Sequence, residues 1–310
     1  MTGTVAAGVG GACEIGVPDP DDLDRVVRTA LEEDLRYGPD ATTAATVPAD
    51  AVAVAAFTPR AGGVLAGLPA ALAVLDVVVG GRGAGSPGPA AGYEVLSARS
   101  DGDRLTAGEP ALVVRAPVRG LLTAERTALN LLCHLSGTAT ATRAWADAVD
   151  GTGARIRDTR KTLPGLRLLE KYAVRCGGGT NHRLGLGDAV LIKDNHVAAA
   201  GSVPAALAAA RAAVPGLPCE VEVDSLDQLD EVLGLAADLV LLDNFSVAGT
   251  AEAVRRRDAA ASSGHRTLLE SSGGLALANA RDYAATGVDF LAVGGLTHSV
   301  IALDLGLDLS

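Results

Sequence analysis

From residue 154 onward, short apolar, β-rich runs alternate with stretches of helical periodicity. The runs are ARIRDT (154–159), DAVLIKD (188–194), CEVEVD (219–224), DLVLLDN (238–244), RTLLESS (266–272) and DFLAVGG (289–295). Between them lie LRLLEKYAVRC, SVPAALAAARAAV, SLDQLDEVLGLA, TAEAVRRRDAAASS and LANARDYAAT, each with apolar positions three and four apart. Strand–helix alternation at this spacing predicts a parallel sheet with right-handed crossovers. Six such units predict a closed or nearly closed barrel rather than a short doubly wound sheet.

The first half has a different rhythm. DLDRVVRTALEEDL (22–35) puts Leu23, Val26, Val27, Ala30 and Leu31 on one helical stripe. AVAVAAF, GGVLAG, YEVLSARS and PALVVRAPV (51–118) then read as strands separated by the turns DGD and AGEP. A long helix is expected from about Thr123, capped by its hydroxyl, through ERTALNLLCHLSG into TATRAWADAV. GGRGAGSPGPAAG (80–92) has no capacity to pack and is expected to be a surface insertion. Residues 1–17, too short in apolar content and lacking a basic start for a signal peptide, are expected to be a flexible tail.

Composition sharpens the picture at one place. The chain has 26 Lys+Arg against 37 Asp+Glu, a net charge of −11, which disfavours polyanionic partners such as nucleic acid or an anionic membrane. Yet residues 155–193 hold nine Lys/Arg and only three acids, and all three lysines of the chain, Lys161, Lys171 and Lys193. The four cysteines (13, 133, 176, 219) form no CxxC pair, so reduced thiols in a cytoplasmic protein are expected.

Barrel enzymes carry their chemistry where the strands end. Arg160, Lys161 and Lys193 fall at such ends, and His182 and Arg183 follow a Gly-rich GGGTN loop expected to bring backbone close to a ligand. Guanidinium forks match carboxylates and phosphates, so the implied ligand is anionic at several points. Glu222 and Asp243 place carboxylates at two further strand ends, suited to Mg²⁺, to ribose hydroxyls or to a developing positive charge. SSGG (271–274) and AVGG (292–295) offer backbone N–H groups to a phosphate. By contrast Arg167, Lys171 and Arg175 recur at helical spacing and are expected to form an exposed face, with Glu170 and Lys171 as ordinary surface charges. A Schiff-base lyase using Lys193 and a non-catalytic anion-binding module are the competing readings.

The stretches RDTRKTLPGLRLLEKYAV, GGGTNHRLGLGDAVLIKDNH, CEVEVDS, VLLDN, SSGGL and DFLAVGGLTHS together resemble the quinolinate phosphoribosyltransferases. The resemblance implies an α/β protein with an N-terminal open α/β sandwich domain (18–124, with 299–310 as a candidate to rejoin it). An incomplete, open α/β barrel of the type II phosphoribosyltransferase kind would follow (125–298). It implies reaction of quinolinate with 5-phosphoribosyl-1-pyrophosphate (PRPP) and Mg²⁺ to nicotinate mononucleotide, pyrophosphate and CO₂, in NAD biosynthesis. By resemblance, Thr159, Arg160, Lys161, His182, Arg183 and Lys193 take quinolinate, with Arg126 of ERTALN supplied by a partner subunit of a homodimer. Lys193, Glu222 and Asp243 are the catalytic set and hold PRPP with its Mg²⁺, while Ser272, Gly273, Gly294 and Gly295 hold the phosphate. No general acid or base is implied. A relative using nicotinate as acceptor is the nearest alternative.

Overall fold

The computed structural model describes residues 15–80, 92–261 and 265–310. The expectations for residues 1–14 and for 81–91 of the Gly/Pro-rich insertion lie outside the described residues. Ile15, within the expected tail, is tied down: its carbonyl accepts from Arg175 Nε at 3.0 Å, and its side chain packs on the first core, while Val17 is exposed.

The chain opens with helix α1 (Pro20–Leu35). Asp19 caps it by accepting from the Asp22 N–H at 2.9 Å, and Pro20 begins the first turn without a backbone donor to lose. Its Val26, Val27 and Leu31 are buried. A short α2 (Ala41–Thr46) leads to strands β1 (Val52–Pro59) and β2 (Gly63–Val64), helix α3 (Leu68–Val79), and strands β3 (Glu94–Ala98), β4 (Arg104–Leu105) and β5 (Leu112–Pro117). A four-stranded sheet in the order β12-β1-β5-β3 forms from these and the last strand, β12 (Leu305–Leu309), which returns to pair antiparallel with β1.

Helix α4 spans Val118–Val149, 32 residues. It begins directly after Pro117 rather than at Thr123, because Pro117 ends the strand and the apolar stripe already starts near Leu121. Thr123 lies inside the helix, its hydroxyl 3.3 Å from Asp40 Oδ2. Small residues in its middle allow close approach: a Cβ on Gly137 would strike the Ile301 carbonyl.

Strand β6 (Arg155–Arg157) follows, then α5 (Arg167–Cys176), β7 (Val190–Ile192), α6 (Asp194–Ala200), α7 (Val203–Ala213), β8 (Cys219–Val223), α8 (Leu226–Gly234), β9 (Leu239–Asp243), α9 (Val247–Ala260), β10 (Leu268–Ser272), α10 (Ala280–Ala284), β11 (Phe290–Ala292) and α11 (Gly295–His298). The six strands form one all-parallel sheet in the order β6-β11-β10-β9-β8-β7. Among the described residues β6 and β7 do not pair, so the barrel is open between them. Two cores hold most of this half. One lies under β7–β10 around Val221, Val240, Leu242 and Leu269, and a second joins Ile156, Leu291 and Val174.

The GGG run 177–179 works differently from expectation. It faces helix α4 instead of a ligand, since a Cβ on Gly177 would come within 2.5 Å of the Ala139 carbonyl and of Thr142. The flush packing turns the chain back from α5 to Thr180, which bridges to Arg157 of β6.

Candidate active site

Parallel register lines up the strand ends. Asp243, Ser272, Ala292 and Arg157 stand in one row across β9, β10, β11 and β6. On β8, period-two alternation puts Glu220 and Glu222 on the same side as each other. At this mouth lies a cavity of about 450 Å³ lined by Thr159, Arg160, Lys161, His182, Arg183, Lys193, Glu222, Asp243, Glu270 and Ser272, among others. It gathers nearly every strand-end residue singled out from the sequence. A neighbouring cavity of about 580 Å³, between the mouth and helix α4, is lined by Gly273, Gly294, Gly295, Trp145 and His298. Thr159, Lys161 and Ser272 border both cavities. Arg126, exposed on α4, lines neither.

The cationic side is held under electrostatic tension. Burial, and then the neighbouring Arg160, lower the Arg183 pKa. The Nε atoms of both Arg160 and Arg183 are buried without a hydrogen-bond partner. Two like charges with unspent donors are costly alone and favourable around a dianion.

His182 is tied off within the protein. Its Nδ1 accepts from the Arg183 N–H at 2.7 Å, so Nε2 carries the proton of the neutral ring and donates to Glu220 Oε2 at 2.9 Å. Burial pushes its pKa down to about 4, in keeping with that neutral tautomer. Glu220 and Glu270 are both pushed up to about 7, chiefly by burial. Glu270 pairs with Arg157, whose guanidinium stacks 4.6 Å from the Phe290 ring centroid. His182, Glu220 and Glu270 have donor atoms close enough to surround a cation. The imidazole proton and Arg157 already satisfy them in part, so they read as the charge-balanced floor of the cavity.

On the carboxylate side Lys193 Nζ donates to Glu222 Oε2. That neighbour is the wrong surrounding for an imine-forming lysine, which needs an apolar pocket. Asp243 Oδ2 accepts from Asn244 Nδ2 at 2.9 Å. Two oxygen-donor side chains facing one cavity fit Mg²⁺ that brings its remaining ligands with it as water and phosphate oxygens.

The wall between the two cavities depends on two glycines. Gly273 sits at φ +84°, and a Cβ there would overlap the Asn244 side-chain oxygen. At Gly294 a Cβ would come 2.9 Å from Lys161 Cδ, so the missing side chain lets the lysine stem lie across the loop between the two cavities.

Two expectations for the neighbouring segment are corrected. Lys171 and Glu170 are fully buried, not surface charges. Glu170 accepts from His134 Nε2 at 2.9 Å and from the Leu163 N–H at 3.1 Å. Arg167 and Arg175 are half-buried and bind Thr162, the Leu184 carbonyl and Asn181. The charged stripe of α5 faces loops instead of water. Residues that sequence reasoning passed over are Glu220, Arg157, His298 and, as a floor residue, Glu270. The E-V-E alternation of CEVEVD carried the signal for Glu220.

A chain folded and charged in this way is a group-transfer enzyme that handles anions at the mouth of an open α/β barrel. It belongs to the quinolinate phosphoribosyl transferase family: the sequence model of that family's C-terminal domain matches residues 138–308, and that of its N-terminal domain residues 40–136. The chain is 63% identical over 283 residues to the nicotinate-nucleotide pyrophosphorylase [carboxylating] of Mycobacterium leprae, spanning 91% of this chain and 95% of that protein. Its structure is similar to that of the nicotinate-nucleotide pyrophosphorylase from Francisella tularensis, with a TM-score of 0.84 and 35% identity over 96% of this chain and 99% of that one. Human nicotinic acid phosphoribosyltransferase shares the fold alone, at 15% identity and a TM-score of 0.59 over 92% of this chain and 73% of that one.

Proposed function

We propose that the chain transfers the phosphoribosyl group of PRPP to quinolinate with loss of CO₂, giving nicotinate mononucleotide and pyrophosphate for NAD biosynthesis. The observation that carries the reading is one cavity lined both by Arg160 and Arg183 and by Lys193, Glu222 and Asp243. A ring bearing two adjacent carboxylates matches the first set, and a ribose carbon losing pyrophosphate matches the second.

In this mechanism Arg160 and Arg183 hold the ring carboxylates and turn the ring nitrogen toward the ribose. Thr159 supports them at the cavity edge, and His182 acts through the Arg183 backbone it accepts from. Lys161, bordering both cavities, sits between acceptor and phosphate. Ser272, Gly273, Gly294 and Gly295 receive the 5′-phosphate. Glu222 and Asp243 offset the positive charge that develops on the ribose, and Lys193, released from Glu222, meets anionic oxygen. Glu222 and Asp243 would hold Mg²⁺, which supplies charge neutralisation to the pyrophosphate. Once the ring nitrogen is alkylated, its positive charge stabilises the carbanion left by CO₂, which takes up a proton from water, so no separate base is required. A homodimer in which the partner adds Arg126 to each site completes the reading, in a cytoplasmic setting where free thiols such as Cys133, Cys176 and Cys219 stay reduced.

The test is incubation with quinolinate, PRPP and Mg²⁺ while nicotinate mononucleotide and CO₂ are measured. Both should appear in equal amounts. Product from nicotinate without CO₂ would identify the other acceptor, and no product from folded protein would remove the reading. For the shared site, Arg126→Ala and Lys193→Ala proteins should each be inactive, and mixed dimers should regain activity.

A further inference from the structure

The mechanism leaves Lys171 unused, although it is one of only three lysines and is fully buried. Its Nζ donates to Asp158 Oδ1, itself fully buried, and to the His182 carbonyl at 2.9 Å. The same Asp158 Oδ1 accepts from the His182 N–H at 2.8 Å. The peptide groups on both sides of His182 are therefore gripped by the two ends of one ion pair. Asn181 closes the arrangement. It donates to Asp158 Oδ2 and to the Lys171 carbonyl, while its own oxygen accepts from Arg175. The grip joins three elements: α5 through Lys171, the end of β6 through Asp158, and the 180–183 segment between α5 and β7.

Arg183 is the next residue, its N–H bound to the His182 ring. Its side chain lines the same cavity as Arg160, whose charge lowers the Arg183 pKa after burial does, and Arg160 lies two residues from Asp158. The Arg183 guanidinium is also held at its far end, Nη1 donating to the Ala189 carbonyl at 3.1 Å. We propose that the buried Lys171–Asp158 pair is a positioning device that clamps the backbone at His182 and so holds Arg183 against Arg160 as a preformed receptor for two adjacent carboxylates. The proposal rests on the acceptor being a dicarboxylate. Orientation of this kind acts first on acceptor binding, because the grip's hydrogen bonds run to His182 and Asn181 and none reaches Lys193, Glu222 or Asp243.

The experiment uses the full chain with Lys171→Met and Asp158→Leu together, which removes both charges at once and leaves no unpaired ion in the core. Binding of phthalate, an unreactive aromatic 1,2-dicarboxylate, is measured by calorimetry beside steady-state kinetics. Expected are a thermal transition that stays cooperative, a phthalate Kd and a quinolinate KM raised about tenfold or more, and a PRPP KM unchanged. An unchanged quinolinate KM, or equal changes for both substrates, overturns the clamp. If the double variant does not fold, Asn181→Ala is read instead. It keeps the ion pair but removes the Asn181 bonds to Asp158, to the Lys171 carbonyl and from Arg175, and its quinolinate KM should rise about threefold or more. No rise there overturns the proposal as well. Failure of wild-type protein to bind phthalate or turn over quinolinate would instead strike the proposed function.

Discussion

Two lysine–carboxylate pairs of like chemistry sit in opposite surroundings in this molecule. Lys171 and Asp158 are both fully buried, and every remaining donor and acceptor around them is backbone or amide. Lys193 and Glu222 meet at the cavity mouth, with the lysine side chain 43% exposed. A buried pair cannot trade its partner for water without a large desolvation cost, so it fixes geometry. A pair at the mouth can exchange its partner for a charged ligand, so it is available for chemistry. Burial, more than residue type, is what distinguishes the roles proposed for the two pairs.

The largest effect should come from breaking the buried pair on one side. Lys171→Met alone leaves Asp158 charged in the core and should cost about 3–5 kcal/mol of stability, read from urea unfolding. Lys193→Met should cost about 1 kcal/mol or less but lower kcat/KM by about 10²-fold or more. Equal stability losses in the two variants would erase the contrast.

Next comes a pH effect on the cavity floor. Burial raises Glu220 to about 7 in the folded protein, against about 4.3 unfolded. A raised carboxyl contributes stability that is fully present below the unfolded value and is lost as pH rises through the folded one. Glu220→Gln mimics the protonated form and keeps an acceptor for His182. It should therefore be more stable than the wild type at pH 8, on the order of 3–4 kcal/mol, with the gap closing by about pH 4. Thermal scans across that range decide it.

Gly273→Ala should cost about 1–2 kcal/mol from its left-handed backbone and raise the KM for PRPP more than that for quinolinate. Smallest of all, Arg28→Ala removes an i,i+4 pair with Asp24 that is exposed on both sides and should leave the unfolding midpoint unchanged.

Much of this was legible in the sequence because barrels keep strict books on direction. Six apolar runs gave six parallel strands, and the polar residues ending them converge on one cavity. The misread part lies where partners are distant in sequence. Arg167, Lys171 and Arg175 at spacing four look like a solvated face when α5 is viewed alone. Their partners lie in the flanking segments: Asp158 and Thr162 come from the chain entering α5, and Asn181 and Leu184 are brought back by the Gly177–Gly179 turn against α4. Glu220 was missed because a charge in the middle of a parallel strand contradicts the apolar rule, although its alternation with Glu222 gave the direction. Thr123 looked like a cap because its hydroxyl suits one, but Pro117 had already ended the strand and begun the helix.

Helix α4 carries a further consequence. Arg126 stands near its beginning and is exposed, while Gly137, Thr140, Ala141 and Trp145 further along wall the cavity beside the glycine loops. These positions share one uninterrupted rod, so their angular settings are locked together like teeth on a single key. Adding or removing one residue between 126 and 137 would swing Arg126 by about 100° around the axis relative to the cavity wall. Loops elsewhere can lengthen at little cost, but this helix cannot change its count without turning one of those two surfaces away from its place.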